Sequence, residues 1–131
     1  MTVGEAIWSI LDGDASLTAV VPSTKIAPIN LPMNTANPCI VYARSSSFPD
    51  YDKQDGKIVS MAYEIDIFSD THKQAAEIAD LVRAALDLNV STHTGFVIDR
   101  IRFDGQDDRD FDVDRNTYQI SQGYMVRVKY D

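Results

Sequence analysis

Residues 63–87 read YEIDIFSDTHKQAAEIADLVRAALD, and the spacing of their apolar side chains changes once along the way. Tyr63, Ile65 and Ile67 alternate with Glu64 and Asp66, the two-residue period of a strand with one buried face. From Ala75 the apolar positions become Ala75, Ile78, Ala79, Val82 and Leu86, the stripe of an amphipathic helix. Between them Thr71 and Gln74 have the spacing of a capping box, which predicts a helix starting just after Thr71. Lys73, Glu77, Asp80, Arg83 and Asp87 decorate its outer side. A strand that runs directly into a helix of this kind predicts a sheet with a helix laid against it.

The same two-residue period extends back through Val59 and Met61, so the strand spans Lys57 to Ser69. That is long for a strand, and part of it is expected to protrude beyond the packed sheet. The last segment, Thr117 to Tyr130, alternates as well. Tyr118, Ile120, Tyr124, Val126, Val128 and Tyr130 share one face, and Thr117, Gln119, Ser121, Met125, Arg127 and Lys129 share the other. This is the pattern of an antiparallel strand with one wet face. Further strands are expected near Gly95 to Phe103 and Cys39 to Ser45, with a short one at Lys25 to Ile29. At the start of the chain, Thr2 and Glu5 form a second capping-box pair ahead of the apolar stripe Val3, Ile7, Ile10 and Leu11. Asp12-Gly13-Asp14 ends that helix, and Leu17, Val20 and Val21 are expected to tuck beneath it. The order is α-β-β-β-α-β-β, an α+β fold with a mostly antiparallel sheet packed by two helices, as one domain over residues 1–131.

Composition narrows the function. Twenty acidic side chains against twelve Lys and Arg give a net charge of −8, which argues against a reader of duplex DNA. It is compatible with a surface that lets DNA slide past without gripping it. The single cysteine, Cys39, has no disulfide partner in the chain and cannot build a thiolate zinc site; beside Ile40 and Val41 it is expected to pack as a small apolar residue. The start, MTVGEAIWSILDGD, carries no basic leader. No apolar run approaches the roughly 20 residues of a membrane span. These features predict a cytosolic protein that avoids membranes, in which the sequon-like Asn89-Val90-Ser91 is coincidence.

The densest charge lies in FDGQDDRDFDVDRN, residues 103–116. A hand-type calcium loop starting at Asp110 would need Gly where Arg115 stands and Glu where Ser121 stands. Starting at Asp108 fails as well, and both flanks read as strands. Nor do these aspartates suit acid–base catalysis, which requires one carboxyl desolvated enough to hold its proton. Glu64 and Asp66 are a more ordered pair, but on a wet strand face. His72 and His93 lack a third ligand at metal spacing. The chain contains no nucleophile elbow, phosphate loop or dinucleotide fingerprint. The expectation is a protein without catalytic residues, metal or cofactor, with the acidic segment as a turn between the last two strands. The segment SSSFPDYDKQDGK, residues 45–57, is long for a hairpin connection and reads either as a mobile tip or as an arm that orders against a neighbouring subunit. Phe48, Pro49 and Tyr51 are its candidate contacts, with Asp107, Asp108, Asp110 and Asp112 of the acidic segment as further subunit or partner contacts.

The chain resembles the small tail-completion, or tail terminator, proteins of long-tailed phages and prophages. The resemblance runs from about Val3 to Val128. It is carried by IWSILDGDASLTAVV, the proline-punctuated segment into NPCIVYARSSSFP, the strand and helix YEIDIFSDTHKQAAEIADLVRAALD, and the closing acidic turn with YQISQGYMVRVKY. It implies a structural protein, made in the host cytoplasm and residing in the virion tail. Such proteins form a ring, typically hexameric, that caps the tail tube and joins it to the head connector, and DNA passes through the lumen without specific binding. No catalytic residue or cofactor comes with it. Another component of the head–tail joint would share this size and style. The contrasting possibilities are a cytosolic α+β ligand-binding or regulatory module unrelated to phages, and an acid-dependent hydrolase.

Overall fold

A computed structural model of the chain describes residues 1–29, 36–50, 57–109 and 111–131. The helices are α1 (Val3–Asp12), α2 (Ala15–Thr18) and α3 (His72–Leu86). The strands are β1 (Ile26–Pro28), β2 (Cys39–Asp50), β3 (Ile58–Ser69), β4 (Ser91–His93), β5 (Phe96–Asp108) and β6 (Tyr118–Tyr130). They form one six-stranded sheet in the order β1-β2-β3-β6-β5-β4. Among the described residues only the β1–β2 pair is parallel, and every other neighbouring pair is antiparallel. The α+β reading holds, with α3 packed across β3, β5 and β6 and with α1 and α2 resting on α3.

Local signals fix the helix ends. The Thr2 hydroxyl accepts the Glu5 amide at 3.2 Å, and Glu5 Oε2 accepts the Thr2 amide at 2.9 Å. Both halves of the box therefore form. At α3 only half does: Thr71 Oγ1 accepts the Gln74 amide at 3.2 Å, while the Gln74 side chain instead accepts the hydroxyl of buried Ser69. Ser69 Oγ in turn takes the Thr71 amide, so the hydroxyl closes the turn between strand and helix. The core beneath is Ile7, Leu11 and Leu17 from the first two helices, Ile78, Val82 and Leu86 from α3, and Ile40, Ile65, Ile67, Ile98, Ile101, Ile120, Val126 and Val128 from the sheet, each at most 1% exposed. Cys39 is also buried, as expected.

Several boundaries differ from the sequence reading. β2 does not stop at Ser45: a bulge lies between Arg44 and Ser46, and pairing resumes with Ser46 opposite Ala62 and runs on to Asp50 opposite Ile58. Ser46–Asp50 is therefore strand, not loop. The side chains of Ser46–Pro49 are largely solvated and show no apolar alternation, so a pattern reading ends too early. β3 does not protrude, because it is paired on both sides from Ile58 to Phe68. β5 runs past Phe103 to Asp108 through a bulge at Asp104. The expected turn of residues 103–116 is thus strand over its first six residues. β4, unanticipated, is three polar residues held by pairing with Phe96–Ile98, and His93 stacks on Phe96 with ring centroids 5.2 Å apart.

Candidate functional site

Alternation along the central strands sends one set of side chains under the helices and leaves the other on an open face. The first set includes a buried polar chain. Gln122, 1% exposed, donates from Nε2 to the Ala79 carbonyl of α3 and to Gln106 Oε1, both at 2.9 Å. Tyr124 donates its hydroxyl to Gln122 Oε1 at 2.9 Å, and burial pushes its phenol pKa well above the usual tyrosine range. These bonds tie sheet to helix.

The open face is built from β3, β6 and β5. Ser60, Ala62, Glu64 and Asp66 of β3 lie opposite Arg127, Met125, Gly123 and Ser121 of β6. Across β6 the partners are Arg100, Arg102, Gly105 and Asp107 of β5. Its two halves differ in sign. Toward the β5–β6 turn, Ser121 donates to Asp66 Oδ1, Arg109 Nε donates to Ser121 Oγ at 3.0 Å, and Arg109 Nη2 meets Glu64 Oε1 at 3.2 Å. A groove of about 370 Å³ opens here between Glu64, Asp104, Asp107 and Arg109. Facing glycines, Gly105 and Gly123, floor it, and Gly105 sits at φ 135°, a conformation that favours glycine. The guanidinium of Arg109 only donates, so this Ser–Asp–Arg contact is a lock between strands and the turn rather than a proton relay. Toward the other end lie Arg100, Arg102, Arg127 and Lys129, with Asp99 bound to Arg127 at 3.4 Å.

On the helix side, a second groove of about 510 Å³ runs past Thr2, Tyr42, Arg44, Tyr63, Phe96 and Tyr130. Burial raises the phenols of Tyr42 and Tyr63 above the usual tyrosine range.

The candidate contacts separate into two groups at opposite ends of the sheet. Phe48 and Pro49 lie in β2 opposite Ser60 and Val59, and Phe48 is 55% exposed on the open face. Asp107 and Asp108 lie in β5 opposite Ser121 and Ile120, with Asp108 3.3 Å from His72 Nε2. Asp112 bridges to Thr117 and its Oδ1 accepts the Arg115 amide, closing the turn. Tyr51 and Asp110 fall outside the described residues. The basic half of the face was not singled out from sequence, although Arg100-Ile101-Arg102 and Arg127-Val128-Lys129 carry its signal: cations two apart on a strand share a face.

A family model described as Tail completion protein gp17 matches residues 5–129. The chain belongs to this family. Membership makes it a structural component of a phage-like virion tail and sets aside the reading as a regulatory module unrelated to phages. A chain in a solved structure titled "Virion of native gene transfer agent (GTA) particle" superposes with a TM-score of 0.73 at 19% identity, over 94% of this chain and 91% of that one. A second solved chain superposes with a TM-score of 0.59 at 13% identity, over 96% of each. At these identities the two structures establish a shared fold. No curated protein matches the sequence. Among the described residues no helix is long and apolar enough to cross a membrane.

Proposed function

We propose that the protein works by assembly rather than catalysis. Copies form a ring, hexameric in the reading favoured here, on the end of the completed tail tube. The ring stops tube growth and offers its far surface to the head connector or completion protein, and DNA passes through the lumen without specific binding. The observation that carries this reading is the family match over residues 5–129, nearly the whole chain. The strongly acidic balance of the chain adds support, since a net charge of −8 repels the phosphate backbone it would surround.

The test is the mass of the protein alone and with tube protein, by sedimentation velocity and native mass spectrometry. A ring that forms alone or on tube ends, and that blocks further tube polymerisation, is the expected result. A chain that stays monomeric with tube protein present, and leaves tube growth unchanged, would overturn the proposal.

A further inference from the structure

The open face sets two like charges directly opposite one another. Arg100 and Arg127 are directly opposite on β5 and β6, and Arg102 and Lys129 flank them on the same face. Cations set opposite one another in a sheet repel. Of these four cations, only Arg127 has an ion-pair partner among the described residues, Asp99. Four of the chain's twelve Lys and Arg side chains thus sit together on a molecule whose net charge is −8. Phe48 completes the patch, in line with Ser60, Arg127 and Arg100 across the four strands. Arginines bordered by an exposed aromatic match the residue types enriched at interfaces.

The other end of the same sheet carries the complement. Asp107, Asp108, Asp112 and Asp114 are exposed there, and Val113, 80% exposed, stands between the last two. Arg127 lies nine positions along β6 from Tyr118 at that end, roughly 30 Å of extended chain, so one copy cannot bring its own turn onto its own patch. We propose that the basic half of the open face, with Phe48 at its margin, receives the acidic β5–β6 turn of a second copy of this chain. Two different patches joined head to tail generate a ring when the rotation closes. The inference deepens the assembly reading and rests on it, because it says which surfaces the subunits use.

The experiment uses two charge-reversed chains, Arg100→Glu with Arg102→Glu and Asp107→Arg with Asp114→Arg, each first shown to keep the wild-type thermal midpoint. Each alone is expected to lose at least about ten-fold in self-association affinity by sedimentation velocity, with tube protein present if the wild type requires it. The wild-type association should weaken from about 50 mM to about 500 mM salt. Mixing the two variants should restore assembly, since every acidic patch then meets a basic turn and the converse. Reversed chains that assemble like the wild type would overturn this interface while leaving the ring reading intact. Failure of the mixture to recover would overturn the pairing of these two surfaces. Loss of binding to a short DNA duplex in the arginine variant, with assembly unchanged, would assign the patch to phosphates instead. A wild type that never associates, with or without tube protein, would remove both readings together.

Discussion

The buried chain of Tyr124, Gln122 and Ala79 permits a sharp thermodynamic test, because its parts are almost wholly removed from water. Tyr124→Phe removes one hydroxyl and leaves Gln122 Oε1, which that hydroxyl caps at 2.9 Å, without its donor. Gln122→Leu conserves shape but strands the Tyr124 hydroxyl and frees the Ala79 carbonyl and Gln106. An unsatisfied buried polar atom costs roughly 1–3 kcal/mol, whereas removing both partners of a bond together is nearly neutral. Each single variant is therefore expected to lose about 1–2 kcal/mol, and the double variant clearly less than the sum, with a coupling of about 1–2 kcal/mol. Gln106 is exposed and can turn to water, so it adds little. The assay is urea unfolding of the four proteins at neutral pH, with equal m-values as the check that one transition is compared. For a chain of this size 1 kcal/mol moves the thermal midpoint by roughly 3–6 °C, so a scan would see the same order. Additivity within about 0.5 kcal/mol would refute the argument, showing that tyrosine and glutamine do not depend on one another.

Two further outcomes follow from burial. Burial raises the phenols of Tyr124, Tyr63 and Tyr42 in the folded chain, so their stabilising contribution is complete below the unfolded tyrosine pKa of about 10 and is lost as pH climbs above it. Unfolding free energy should fall with rising pH in that window and fall less in Tyr124→Phe; equal slopes in the two proteins would count against it. Burial likewise pushes the Cys39 thiol up, despite the opposing charges of Lys25 and Arg115. Cys39 should react with a disulfide reagent at about pH 8 only in denaturant, and rapid reaction of the native protein would show that the start of β2 opens.

The two-residue and helical periods around Tyr63–Asp87 determined the sheet-and-helix character of the chain, because burial on one face writes itself directly into spacing. Thr2 with Glu5 and Thr71 with Gln74 likewise announced where helices begin, since capping is a contact within one turn. The long reach of β2 and β5 had no such mark. Ser46–Asp50 and Asp104–Asp108 are strand because a neighbour supplies the ladder, while the side chains of Ser47–Pro49 and of Asp104–Asp108 stay wet. The pairing of β4 with β5 was illegible for the same reason: three polar residues carry no pattern, only partners. At the candidate site, the sequence alone determined the types present, the acids of residues 104–114, Phe48, and the cations of Arg100-Ile101-Arg102 and Arg127-Val128-Lys129. Which of them share a face, and that the cations meet across β5 and β6 while the acids gather at the far end, was decided only by strand register. Register joins residues far apart in the chain, and no local interaction encodes it.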